Sequence, residues 1–166
     1  MSEIIIGIDP GQNGGVAIHY PVRVCGYGLL AAATFVTFSF SKQTEYEIRD
    51  WLEEKLKDEP RARTFAYLEH SSPMPKQGVV STFKFGQGYG FLRGLLVALK
   101  IPFETVRPAR WQRTLGCLSR GDKNVTKAKA QELFPGIRIT HAIADALLIA
   151  EYGRRTRLGE QKEQRK

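Results

Sequence analysis

Residues 3–9 set three consecutive isoleucines ahead of a turn. A β-branched, uniformly apolar run of that length predicts a buried strand. Gly14-Gly15 predicts a hairpin turn, and "VAIHY" (16–20) returns as a second strand. In "AATFVTFSF" (32–40), Phe35, Thr37 and Ser39 alternate with Val36, Phe38 and Phe40, a third strand with one wetter face. The period then changes. Thr44-x-x-Glu47 is a capping box, and Ile48, Trp51, Leu52 and Leu56 follow at helical spacing until Pro60. "TFAYLEH" (64–70) is the next strand, ending on Glu69. A Ser-, Pro- and Lys-bearing loop (71–78) leads into a glycine-dotted helix reaching about Lys100. "PFETV" (102–106) is a fifth strand, and helices are predicted over 109–115, 125–134 and 140–155. The order predicts an α/β fold: a mixed five-stranded sheet, antiparallel in its first three strands and then parallel, flanked by helices. No repeat or linker divides the chain, so one domain over 1–158 is expected, with 159–166 a basic, mobile tail.

Three acids break this pattern. Asp9 ends the first strand, in "IIIGIDPGQNGG". Glu69 ends the fourth, and Asp145 stands inside the apolar helix "HAIADALLIAEY". A carboxylate withdrawn from water alone is costly unless it meets a cation. If the first and fourth strands are neighbours, Asp9 and Glu69 emerge side by side, and a helix across the sheet brings Asp145 to them. Crowded carboxylates call for a divalent ion, and all-oxygen ligands favour Mg²⁺ or Mn²⁺ over zinc. His141, four residues before Asp145 on the same helix face, is a candidate fourth ligand or general base. Plainer readings stay open: Asp9 satisfying turn amides, Glu69 as a strand-end acid, Asp145 paired with an arginine, and His141 as a helix-start residue.

Charge narrows the partner. The 166 residues carry 25 Lys+Arg against 17 Asp+Glu, a net +8, which points to a polyanion and most commonly to nucleic acid. The excess is clustered: Arg107, Arg110, Arg113, Arg120, Lys123, Lys127 and Lys129 face one acid, Asp122. Lys76, in the loop after Glu69, joins them as a DNA-contact candidate, and Arg154 to Lys166 adds more basic residues. Cys25 and Cys117 are far apart with no C-x-x-C spacing, which argues against a zinc site and a disulfide framework and makes a reducing cytosol the default. No signal peptide or membrane span is evident. Two metal ions about 4 Å apart activate water and stabilise a leaving oxygen at a phosphodiester. Metal-dependent hydrolysis of DNA or RNA is therefore what the residues suggest.

The motifs "GIDPGQNGG" (7–15), "YLEH" (67–70), "FKFGQGYG" (83–90), "RPARWQ" (107–112), "GDKNVTKAKAQELFP" (121–135) and "ADALLIA" (144–150) resemble, in order and spacing, the RuvC-type Holliday junction resolvases. These belong to the ribonuclease H-like superfamily, and the resemblance is closest to the small bacteriophage members. It implies a ribonuclease H-like fold and a homodimer that cuts four-way DNA junctions in symmetric paired nicks, with two Mg²⁺ (or Mn²⁺) ions per site and no small-molecule cofactor. It places the metal-binding acids at Asp9, Glu69 and Asp145 and a phosphate-contacting lysine at Lys123. A second family lysine falls on Gln112, so its contact is neutral here or moved to Arg110 or Arg113. The fourth family ligand falls on Ala142, one residue after His141. The family's aromatic wedge is missing from "SSPMPKQG" (71–78), where Met74 is the large apolar residue. The glycines at 86, 88, 90 and 94 mark either a dimer-forming helix or one packed tightly on its own sheet. A broader branch or flap nuclease and a catalytically weak junction-binding module share these features. An actin-like sugar kinase or ATPase, which also starts with an "IDxG" hairpin, needs two lobes and a second phosphate loop that this chain lacks.

Overall fold

The computed structural model describes residues 3–25, 28–31, 34–72 and 78–163. Met74 and Lys76 lie outside these residues, as do the last three positions of the basic tail. The sheet contains β1 (Ile4–Asp9), β2 (Gly15–Tyr20), β5 (Thr34–Ser39), β6 (Thr64–Glu69) and β7 (Phe103–Val106), in the order β5-β2-β1-β6-β7. β1 pairs antiparallel with β2, and β2 with β5, while β6 and β7 continue parallel to β1. This is the mixed sheet expected. A hairpin of β3 (Arg23–Cys25) and β4 (Gly28–Ala31) also separates β2 from β5. The sequence reading missed it, because two strands this short do not establish a period of their own within an apolar run.

Among the described residues five α-helices flank the sheet: α1 (Glu45–Leu56), α2 (Val79–Ala98), α3 (Pro108–Leu115), α4 (Lys123–Leu133) and α5 (His141–Glu163). The Thr44–Glu47 capping box is formed in both directions. α5 runs on to Glu163, through most of the stretch read as a tail. Among the described residues no helix is long and apolar enough to cross a membrane.

The strand period of two splits the core into two layers. Ile4, Ile6 and Ile8 of β1, with Ala66 and Leu68 of β6, pack against Leu52, Leu56, Leu92 and Leu96 of α1 and α2. Ile5 and Tyr67 face the other way, into the layer built on α5. Gly7 shares that second face, and a Cβ there would collide with the backbone of Ala146 and Ala150. α5 therefore lies almost on the strand, and only glycine permits the approach. Ala142 lies against Gly15, Ala146 and Ala150 against Gly7, and Gly153 against Ile5 and Tyr67. The helix thus runs antiparallel to β1, with its N-terminal turns at the Asp9 end.

Candidate active site

Pleat and register fix two of the acids. Ile8 pairs with Leu68 in the parallel β1–β6 ladder, so Asp9 and Glu69 leave the sheet next to each other. Both share the face of Ile5 and Tyr67, the side covered by α5, whose Asp145 couples electrostatically to both.

Each acid is held differently. Asp9 is 9% exposed, and its Oδ1 accepts the Gly11 N–H at 3.0 Å. It therefore closes the turn, as one of the plainer readings had it, while also facing the other acids. Glu69 Oε2 accepts the indole N–H of the fully buried Trp111 at 2.8 Å. Asp145 Oδ1 is buried with no hydrogen-bond partner. The Thr126 hydroxyl lies within reach of Asp145 and 3.2 Å from the Lys123 carbonyl.

Burial is the leading reason all three carboxyls lie above their ordinary range. Glu69 is pushed up to about 8, first by desolvation and then by the Asp9 charge. Asp9 is raised by burial and by Asp145, against the pull of the Gly11 amide. Asp145 is raised by burial, with Thr126, Lys123 and His141 opposing. Lys123, the exposed first residue of α4, is the cation that lowers all three.

Asp9, Glu69 and Lys123 line a cleft of about 780 Å³ together with His70, Ser71 and Arg107. Among the described residues no three His, Cys, Asp or Glu side chains are gathered as a ready-made metal shell. The donor set nevertheless suits a hard divalent cation: it consists of carboxylate oxygens, and one of them is orphaned and buried. A cation between them would offset the carboxylate repulsion that adds to burial in raising Asp9 and Glu69.

His141 is exposed at the first turn of α5 and near enough to Asp145 to favour its ionised form, but it does not line the cleft. Of the basic candidates, Arg107 lines the cleft and Arg113 and Arg120 are exposed. Lys127 is half-buried. Arg110 pairs with Glu104 at 3.2 Å and Lys129 with Glu132 at 2.7 Å, so each already has an acidic neighbour. In the tail, Arg154 and Arg155 are committed to Glu151, and Arg157 to Glu3.

Gln112 offers no neutral substitute for a lysine. It is 8% exposed, and its Oε1 accepts from the Ser119 amide at 3.1 Å and the Ser119 hydroxyl at 3.2 Å. It tethers the loop that leads to Lys123. The sequence reading also missed His70 and the Trp111–Glu69 bond. A tryptophan amid arginines in "RPARWQ" carried the available signal, because a buried indole N–H needs an acceptor.

No family model and no curated relative matches this chain. Solved structures do, two RuvC structures among them. A RuvC structure from Thermus thermophilus is 20% identical, over 94% of this chain and 96% of that one, with a TM-score of 0.54. The same organism's RuvC in complex with a Holliday junction substrate is 19% identical over the same shares, with a TM-score of 0.56. The chain has the ribonuclease H-like fold of these RuvC structures, with its three acids at the C-terminal edge of β1 and β6 and on the crossing helix α5.

Proposed function

We propose that this protein is a structure-selective endonuclease that hydrolyses phosphodiester bonds in four-way DNA junctions. The observation that carries the reading is the meeting of Asp9, Glu69 and Asp145 on one sheet face beneath a basic cleft, with Asp145 Oδ1 buried and unpaired. The Holliday junction bound to the RuvC of the same fold supports the choice of substrate.

Asp9, Glu69 and Asp145 would hold one or two Mg²⁺ ions, with His141 adjoining at the start of α5. When bound, the metal supplies an activated water and Lewis-acid stabilisation of the leaving oxygen. Arg107 and Lys123 bind the DNA backbone at the cleft, which makes affinity salt-dependent. Lys123 also stabilises the charge that builds on the scissile phosphate. The Gly11 and Trp111 hydrogen bonds keep the first two carboxylates aimed at the cleft.

A homodimer belongs to this reading, since paired nicks need two sites related by a twofold axis. α2 supports it. Cβ atoms at Gly86, Gly88, Gly90 and Gly94 would meet nothing, so tight packing on the chain's own sheet does not account for these glycines. Val79, Val80, Phe83 and Val97 of the same helix are strongly exposed.

The test incubates the protein with a mobile four-way junction, a flap and a matched duplex, in Mg²⁺ and in EDTA, beside Asp9→Asn. Paired Mg²⁺-dependent nicks on the junction, lost in the variant, are expected. Equal cutting of flaps would broaden the activity to branched DNA. Tight binding without cutting in Mg²⁺ or Mn²⁺ would reduce the protein to a junction-binding module.

A further inference from the structure

α3 carries two consecutive buried residues that each hold part of the site. Trp111 is fully buried, and its only polar atom donates to Glu69 Oε2 at 2.8 Å, across 42 positions of sequence. Gln112 holds Ser119, and Ser119 Oγ in turn accepts the Gly121 amide at 3.3 Å, two residues before Lys123. The helix is itself firmly set. Pro108 occupies its first turn, Gly116 closes it in the left-handed conformation, and Trp111 and Leu115 enter the α5 layer of the core.

We infer that Trp111 is a positioning residue for Glu69: its indole N–H fixes one carboxylate oxygen and leaves the other directed at the cleft for a divalent cation. The inference rests on the proposed nuclease reading. A glutamate at a strand end has three free torsions and, alone, would sample many of them. One short bond from a rigid, immobile donor restricts it to one arrangement. It also favours the ionised carboxylate against the burial that favours the acid. This is the role that outer-shell donors play for metal-ligating side chains, where their loss commonly lowers metal affinity or activity by about 10–100-fold.

Two variants remove the donor. Trp111→Phe deletes it together with some ring volume. Replacing Trp111 with β-(3-benzothienyl)alanine deletes the N–H while keeping the bicyclic shape. Mn²⁺ affinity without DNA, single-turnover junction cleavage and junction affinity in EDTA are measured for each. In wild-type protein the two indole N–H resonances, from Trp51 and Trp111, are followed during Mg²⁺ titration. The expected result for the benzothienyl variant is about a 10–100-fold loss in Mn²⁺ affinity and cleavage rate, with junction affinity and melting temperature unchanged. The Trp111 resonance shifts with Mg²⁺ and with Glu69→Gln, and the Trp51 resonance does not. A benzothienyl variant that binds Mn²⁺ and cuts like wild type overturns the inference alone, as does a Trp111 resonance indifferent to Mg²⁺ in a protein that cuts. Wild-type protein that neither binds Mn²⁺ nor cuts overturns the nuclease reading and this inference with it.

Discussion

Helix α5 carries two acids six residues apart, the half-buried Asp145 and the buried Glu151, and the chain treats them oppositely. Glu151 is 5% exposed, and both its oxygens are occupied: Arg154 binds it at 2.7 and 2.8 Å and Arg155 at 2.7 Å. Those hydrogen bonds outweigh burial and hold its carboxyl below the ordinary range. Asp145, two turns earlier, keeps one oxygen with no partner and sits above its ordinary range. Glu151 has its cations within one helical turn of its own helix, at positions i+3 and i+4. Asp145 meets two more acids across the sheet. An acid that the fold itself neutralises is a structural element. One left short of cations at the end of two strands is prepared for a cation from outside.

The comparison breaks most sharply under neutralisation of each acid. Asp145→Asn is expected to reduce junction cleavage to background while the protein stays folded, because it removes repulsion as well as charge. Binding should be unchanged or tighter, since a negative charge near phosphate is lost. Glu151→Gln should leave cleavage intact. Paired gel assays for cutting and binding check both, and a Glu151→Gln protein that is folded but inactive would overturn the distinction.

Lys123 comes next in size. It is the cation facing all three site acids, and Lys123→Ala should lower the single-turnover rate by about 10²-fold. The slope of log binding constant against log salt should shrink by about one. The same substitution at Arg155, which is tied to Glu151, should leave both nearly unchanged. Filter binding over a salt series separates them.

For stability the ranking reverses. Removing one charge from the Glu151 cluster strands two half-exposed arginines and weakens three charge-assisted hydrogen bonds, an expected loss of about 1–3 kcal/mol. In a domain of this length that lowers the melting temperature by roughly 3–10 °C. Thermal denaturation of Glu151→Gln beside Asp145→Asn should show the fall in the first variant only.

The reason the sequence revealed the acids and not their supports is physical. Asp9 and Glu69 stand at the ends of runs that read as strands at almost their true limits, and the strand period then decides which face each occupies. Asp145 was visible because a polar residue inside an apolar helix demands a partner. The partners of Trp111 and Gln112 were hidden because Glu69 lies 42 positions away in a strand and Ser119 in the loop beyond the end of α3, so neither bond follows a helical or strand period. Gln112 was misleading for a related reason: a position judged by its side-chain type turned out to point inward. The β3–β4 hairpin was hidden because its strands are shorter than any period they could display.

The smallest effect is the most specific. Glu69 is raised from an ordinary value near 4.5 to about 8, so the native protein binds a proton that the unfolded chain releases. The stability tied to that proton is fully present below about 4.5 and is lost as pH rises towards 8. His19, at the far end of the sheet, has the opposite sign. Burial, and then Arg154, lower it from 6.5 to about 4, so its contribution is lost as pH falls between those values. Between roughly pH 6.5 and 8, then, His19 is silent while the Glu69 proton still contributes a falling slope. The metal-free melting temperature should fall steadily across that window. Glu69→Gln should flatten much of the fall, since a neutral amide has no proton to release. Saturating Mg²⁺ should also flatten it, because a bound cation stabilises the ionised carboxylates that appear as pH rises. Scanning calorimetry at half-unit steps, in EDTA and in Mg²⁺, reads both. A metal-free melting temperature that rises from pH 6.5 to 8 would mean the three acids are already compensated within the fold, as Glu151 is, and would remove the reason for assigning them a cation.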